Sequence, residues 1–161
     1  MPEGAAMIFS YVRHFFTRVK NRHSSQIVSA PHEGRTPNPE YETYSASCLR
    51  QAAEAIGKGY KNPEALRELL IWTTHKDTYP VVMKYFRQHL HDPNLLSALI
   101  NIASEGEDAG VAPWTAANII EEFPSELLAP HESSLQQLSE EGWTYLSDPA
   151  KRALAKLTRS N

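Results

Sequence analysis

The chain has 161 residues, with 16 Lys and Arg against 19 Asp and Glu, and 41% of its residues are hydrophobic. This length suits one domain with a buried core, and no run of eighteen apolar residues is present to span a membrane. The single cysteine, Cys48, excludes an intramolecular disulfide. Together with the lack of a signal-peptide pattern near the first residue, it favours a cytoplasmic protein.

The first 22 residues predict an amphipathic helix. Ile8, Phe9, Val12, Phe15 and Phe16 recur at helical spacing among basic residues. Such a helix suits contact with a membrane surface or a partner, but we favour a first helix that caps the fold. Residues 23–40 are rich in Ser, Pro and Gly and predict a linker, so residues 41–161 are expected to form a helical-repeat domain.

Helix starts recur through the centre of the chain. Asn62-Pro63 and Asp92-Pro93 each place a good N-cap residue before proline, whose fixed φ and missing N–H suit the first helical position. Further prolines follow at positions 80, 113 and 149, with Asp148-Pro149 expected to open the last helix. The spacing of about 30 to 36 residues predicts a repeated two-helix unit.

The segments between these starts carry apolar side chains at three-four spacing. The expected core-facing residues are Leu66, Leu69, Leu70, Ile71, Val81, Val82, Tyr85, Phe86, Leu90, Leu95, Leu96, Leu99, Ile100, Ile102, Trp114, Ala117, Ile119, Ile120 and Phe123. A single such helix cannot bury its stripe, so consecutive hairpins are expected to stack and share a core. The sequence therefore predicts an all-α fold.

Over about residues 62–158 this pattern resembles HEAT-like or armadillo-like helical repeats. The resemblance rests on the Asn-Pro and Asp-Pro helix starts, the Leu-rich first helices and the short turns. It implies a short α-solenoid of stacked helical hairpins, with the N-terminal amphipathic helix as an addition. An irregular helical bundle is the alternative architecture.

Catalytic and metal-binding patterns are missing from the sequence. None of the seven histidines has a metal-ligand spacing, and HExxH, CxxC, GxSxG and phosphate-binding glycine loops do not occur. His89 and His91 would point about 200° apart on a helix, and His75 with Asp77 falls in a predicted turn. We therefore expect no catalytic residues, no metal and no cofactor, with an enzyme built from these histidines across helices as an alternative.

The charge distribution is the main functional signal. Residues 88–150 contain eleven Asp and Glu and no Lys or Arg. Such a stretch cannot neutralise itself, and stacked hairpins would collect its loops on one edge. The predicted partner-binding residues are Asp92, Glu105, Glu107, Asp108, Trp114, Glu121, Glu122 and Glu126. The alternative interpretation is a solvated exterior, and in either case reversing these charges is expected to change stability little.

An acidic surface disfavours nucleic acid as the main ligand and favours a basic protein partner. In size, charge and lack of a catalytic motif, the chain is similar to HEAT-like bacterial immunity proteins. That resemblance implies an inhibitor that neutralises a basic toxin. Two further classes remain as alternatives: a scaffold or adaptor that docks through its N-terminal helix, and a helical enzyme.

Overall fold

A computed structural model describes residues 39–159, and over this range the chain is helical without a β-strand. The helices are α1 (Pro39–Lys58), α2 (Pro63–Trp72), α3 (Tyr79–Gln88), α4 (Pro93–Ala103), α5 (Val111–Ile120), α6 (Ser125–Leu128), α7 (Glu132–Ser139) and α8 (Thr144–Arg159). Two 3-10 turns, Glu107–Ala109 and Ala129–His131, join α4 to α5 and α6 to α7. The all-α prediction is confirmed for this range. The predicted N-terminal helix and most of the predicted linker lie outside it.

Two of the predicted helix starts have the capping geometry that their sequence implies. The Asn62 side chain accepts hydrogen bonds from the main-chain N–H groups of Glu64 and Ala65, both at 3.0 Å. The Asp92 carboxylate accepts from the N–H of Asn94 at 2.8 Å. In both cases proline occupies the first helical position, so the cap satisfies donors that have no partner inside the helix.

The other proline positions lie further inside their helices than the sequence suggested. Pro113 is the third residue of α5 and Pro149 the sixth of α8, which begins at Thr144 and not at Asp148-Pro149. The first turn of a helix tolerates proline because its N–H groups have no intrahelical acceptor. Pro149 lies just beyond that turn, and it is buried together with Leu146 and Ala150. Burial of this helix face therefore outweighs the local signal for a helix start at Asp148-Pro149.

Neighbouring helices pack as pairs around one core. The pairs α1 with α2, α4 with α5, and α7 with α8 are consecutive in sequence, while α5 also contacts α2 and α8, and α4 contacts α7. The largest fully buried side chains come from most of these helices: Leu69, Leu70, Phe86, Leu95, Leu96, Leu99, Ile119, Ile120, Phe123, Leu128, Leu135 and Leu146. Helix α5 thus lies at the centre of the packing. Whether the pairs form a true repeat stays a prediction.

Helices α5 and α8 run in the same direction. The ring of Trp114, near the start of α5, lies 5.2 Å from the ring of Tyr145, near the start of α8. At the other end, Lys156 of α8 donates to the carbonyl oxygens of Glu121 and Phe123, just beyond the end of α5. This parallel pair fixes the region that holds most of the candidate site residues. Among residues 39–159, no helix combines the length and the apolar character that crossing a bilayer requires.

Candidate functional site

Several of the predicted partner-binding carboxylates are paired with arginines of the same chain. Arg67 of α2 donates two hydrogen bonds to Glu105, one of them at 3.0 Å, and Arg87 of α3 donates two to Glu122, at 2.8 and 2.9 Å. The Nε of Arg152 lies 2.8 Å from the Oε1 of Glu121. These arginines lie outside the stretch 88–150, and the fold brings them to it. The stretch does not neutralise itself, but arginines from outside it pair with these three carboxylates, which the sequence did not predict.

The ion pairs also act on the arginines. The hydrogen bond to Glu105 raises the pKa of Arg67, and the hydrogen bond to Glu121 raises the pKa of Arg152. All three pairs are partly exposed, since roughly half of each arginine side chain remains accessible. Water screens such pairs, so each contributes little to stability. Their main effect here is to remove net charge from the surface.

The acidic turn, Glu107 and Asp108, differs from these pairs. Both residues are exposed on the 3-10 turn between α4 and α5, and no ion pair in residues 39–159 includes either of them. Gly106 and Gly110 flank the turn with φ of 79° and 86°, a region that favours glycine. Glu126, exposed in the first turn of α6, also lacks an ion pair among these residues. The acidic turn therefore holds exposed negative charge, without an ion pair, in the loop between α4 and α5.

Asp92 has a structural position. Besides capping α4, its carboxylate accepts a hydrogen bond from the hydroxyl of Tyr60. These hydrogen bonds, with that from Tyr60 the larger effect, lower the pKa of Asp92. The same hydrogen bond, with burial second, raises the pKa of Tyr60 to about 12. Because α4 separates Asp92 from Glu105 by 13 residues, roughly 20 Å of helix divides them, and the eight predicted residues do not form one cluster.

An aromatic row lies at the starts of α5 and α8. Its rings are Trp114, Tyr145 and Trp143, with Tyr145 5.2 Å from Trp114 and 5.6 Å from Trp143. Tyr145 is 55% exposed, and both tryptophans are half-buried. Trp114 was predicted from the sequence as a partner-binding residue, but Tyr145, which falls outside every predicted apolar stripe, was missed. Its place two residues after Trp143 was the available signal.

A cavity of about 340 Å³ opens beside Trp114, between the end of α2, the start of α3 and one face of α5. It brings together three of the predicted residues, Trp114, Glu121 and Glu122, and its other lining residues are Thr73, Thr74, Tyr79, Met83, Thr115, Asn118 and Ile119. A second, wider cavity of about 560 Å³ lies near the end of α8, lined in part by His91, Phe123 and Lys156. The smaller cavity is lined by three predicted site residues, and the wider one is lined by Glu122 alone of them.

The histidines named in the sequence pack against aromatic rings. His89 lies 5.1 Å from the ring of Tyr60 and 4.8 Å from that of Tyr85. His75 lies 5.6 Å from Tyr44, and its Nδ1 accepts a hydrogen bond from the main-chain N–H of Asp77 at 3.3 Å. Within residues 39–159, no three His, Cys, Asp or Glu side chains come close enough to hold a metal ion. These contacts give both histidines a packing role.

The chain matches no family model, no curated protein and no solved structure. Function is therefore inferred from the geometry of residues 39–159, and the resemblance to HEAT-like repeats and immunity proteins remains a prediction.

Proposed function

We propose that the protein is a non-catalytic binding module that captures a basic protein partner. The observation that carries this proposal is the exposed acidic turn, which immediately precedes the helix holding Trp114. Carboxylates without an internal cation attract a basic surface from a distance, and a neighbouring half-buried aromatic side chain is a common type of binding anchor. Glu126 adds exposed negative charge after α5.

The distribution of paired and unpaired carboxylates refines the binding face. Glu105, Glu121 and Glu122 already hold arginines, and Asp92 caps a helix, so these four offer less charge to a partner than the acidic turn does. The acidic face is therefore proposed to centre on the acidic turn and the aromatic row, with the paired carboxylates at its border. A face of this sign repels phosphate, which disfavours nucleic acid as the main ligand.

Within this class, we favour an inhibitor or immunity protein of the cytoplasm that neutralises a basic toxin by covering its surface. Helix pairs packed side by side, as α4 with α5 and α7 with α8, support an extended face that needs no chemistry of its own. A short solenoid of stacked hairpins is the architecture that this proposal implies. An exposed face of one charge sign also speeds encounter with a basic partner, which suits an inhibitor that must act before its target does.

The proposal is tested by association kinetics. A tagged full chain is used to recover its partner from the source cells, and a basic protein encoded beside its own gene is the first candidate to purify. Association is then measured at two salt concentrations for the wild type and for the double variant Glu107→Lys, Asp108→Lys. We expect association to slow about ten-fold at low salt and its salt dependence to weaken, with dissociation changed less.

A matched control carries the same charge change elsewhere. Glu64→Lys with Glu68→Lys reverses two exposed carboxylates on α2, outside the stretch 88–150. This control should associate at close to the wild-type rate. Equal slowing in both double variants would indicate an effect of net charge alone, and unchanged rates in both would overturn the acidic face. If the partner is a toxin, co-expression of this protein must restore growth to cells that produce the partner.

A further inference from the structure

The cavity beside Trp114 has walls that suit a flat side chain. Trp114 and Ile119 of α5 and Met83 of α3 supply apolar surface, and Tyr79, which is 45% exposed, lines it from the start of α3. Its volume of about 340 Å³ is large enough for one long side chain but at the lower end for a whole small-molecule ligand. Aromatic walls of this kind favour planar or cationic groups, which stack on the ring faces.

The polar side chains of the cavity offer acceptors. Thr73, Thr74, Thr115 and Asn118 each donate to a main-chain carbonyl three or four residues earlier, at 2.6, 2.8, 3.2 and 3.1 Å. With these protons engaged, what remains on the three hydroxyls is lone pairs, and the side-chain oxygen of Asn118 is an acceptor as well. The remaining side-chain donors of the lining are the second N–H of the Asn118 amide, an indole N–H and a phenol. The cavity therefore complements a group rich in N–H donors.

Glu121 and Glu122, at the end of α5, add carboxylate acceptors to this lining. Each already contacts one guanidinium of the same chain, that of Arg152 and that of Arg87 respectively. A carboxylate has about four lone-pair sites, so one arginine does not exhaust it. The acidic turn, which precedes the same helix, adds unpaired negative charge on the approach to Trp114.

From these observations we propose that the cavity is the subsite for one arginine side chain of the basic partner. The guanidinium stacks on Trp114 and Tyr79 and donates to Asn118 and to the carboxylates at the end of α5. Arginine fits better than lysine because its planar fork has five donors, no acceptor and a flat face for stacking. The inference rests on the proposed function and gives it a specific anchor.

The experiment titrates the full chain with N-acetyl-arginine methylamide and follows the indole N–H signals of its three tryptophans by NMR. Replacing each tryptophan in turn by phenylalanine assigns these signals. We expect the Trp114 signal to shift saturably with millimolar affinity, and N-acetyl-citrulline methylamide, which has the same shape without the charge, to bind at least about ten-fold more weakly. A Trp114 signal that does not respond, or that responds equally to both amides, overturns the subsite.

Two variants locate the binding. Asn118→Leu removes the amide acceptor while keeping a helix-forming residue of similar size, and it should weaken the arginine amide about ten-fold with the Trp114 signal still present as the readout. Glu64→Gln removes an exposed carboxylate on α2 that does not line the cavity and should bind as the wild type does. If Asn118→Leu, shown by thermal unfolding to be folded, binds the arginine amide with wild-type affinity, the assignment of the cavity as an arginine subsite is overturned.

Failure of the subsite and failure of the proposed function give different results. The slowing of partner association by Glu107→Lys with Asp108→Lys does not involve Asn118. If that slowing is found while the arginine amide does not bind, the subsite alone is overturned. If both are missing, the acidic face and its anchor are overturned together.

Discussion

The hydroxyl of Tyr60 donates a hydrogen bond to the carboxylate of Asp92, and this contact joins the turn between α1 and α2 to the start of α4. The main-chain N–H of Tyr60 also donates to the hydroxyl of Tyr85 on α3, at 2.9 Å. The rings of Tyr60 and Tyr85 both lie against His89. Tyr60 therefore connects the turn between α1 and α2 to α3 and to the start of α4. It lies 32 positions from Asp92 in the sequence.

Replacing Tyr60 by phenylalanine removes this hydrogen bond and keeps the ring contacts. We expect the free energy of unfolding to fall by about 1 kcal/mol, the usual net contribution of one such bond. Urea denaturation of the two proteins measures the difference. Tyr145→Phe removes a hydroxyl from an exposed ring and serves as the control, with a change near zero. A loss in Tyr145→Phe as large as that in Tyr60→Phe would contradict the prediction.

The same contact predicts a dependence on pH at both ends of the scale. Since the pKa of Tyr60 is raised from 10.0 to about 12, the folded state favours the protonated phenol, and the stabilisation is present below pH 10 and lost as the pH rises from 10 through about 12. Since the pKa of Asp92 is lowered, its contribution is present above its ordinary value and lost as the pH falls through the folded-state pKa. The wild type and Tyr60→Phe should therefore converge in stability above pH 10 and in acid. A constant difference across the range would argue against the bond.

The helix starts at Pro63 and Pro93 were predictable because their causes are local. Asn62 caps its helix with its own side chain and Pro63 supplies the φ, so two adjacent residues contain the signal. Burial was less predictable, since Val82 is fully buried while its neighbour Val81, assigned to the same stripe, is 45% exposed. Helix periodicity alone cannot choose between adjacent apolar residues when the position of the neighbouring helix is unknown.

Lys156 is expected to stabilise the end of α5. Its ammonium donates to the carbonyl oxygens of Glu121 and Phe123, which lie where the helix dipole is negative and where carbonyls lack intrahelical partners. Lys156→Met keeps most of the packing of the stem and should lower the free energy of unfolding by about 1 kcal/mol. Lys151→Met, an exposed position on the same helix, is the control and should change it by less than about 0.5 kcal/mol. Equal effects in urea denaturation would show that the lysine contacts contribute nothing specific.

The thiol of Cys48 should report the opening of α1. It is 2% exposed on the face of α1 that also buries Ala52 and Ala55, so a thiol reagent can reach it mainly when this helix separates from its neighbours. In native buffer we expect labelling by a disulfide reagent to be at least about a hundred-fold slower than in urea. Ala46→Cys in a Cys48→Ala background places the thiol at an exposed position of α1 and should label fast in both conditions. Fast native labelling of Cys48 would mean that α1 is not stably packed.

The ion pairs could not be predicted from the sequence, because each joins residues far apart in the chain. Arg67 and Glu105 are 38 positions apart, and Arg87 and Glu122 are 35 apart. Counting charges within residues 88–150 correctly found an excess of carboxylates, but it assumed that cations near in sequence are the ones near in space. The cavity could not be predicted for the same reason, since its walls come from three separate helices, α2, α3 and α5.

Glu105 and Glu107 offer the sharpest comparison between a paired and an unpaired carboxylate, because they are two residues apart in one loop. Glu105 accepts two hydrogen bonds from Arg67, whereas Glu107 has no ion pair among residues 39–159. Glu105→Lys breaks the pair and places two cations together, so we expect a loss of about 1 kcal/mol in the free energy of unfolding, reduced at high salt. This differs from the sequence-based expectation that neither reversal would affect stability. Glu107→Lys should change it by less than about 0.5 kcal/mol.

The charge swap completes this prediction. Arg67→Glu combined with Glu105→Lys restores opposite charges at the two positions, and it should recover most of the stability that Glu105→Lys loses. Arg67→Glu added to Glu107→Lys should recover nothing, since no contact joins those side chains. Urea denaturation of these four variants and of Arg67→Glu alone, at low and high salt, measures both couplings. If Glu105→Lys and Glu107→Lys are equally stable, the carboxylates of this loop are energetically alike, and Glu105 would then be as available to a basic partner as Glu107.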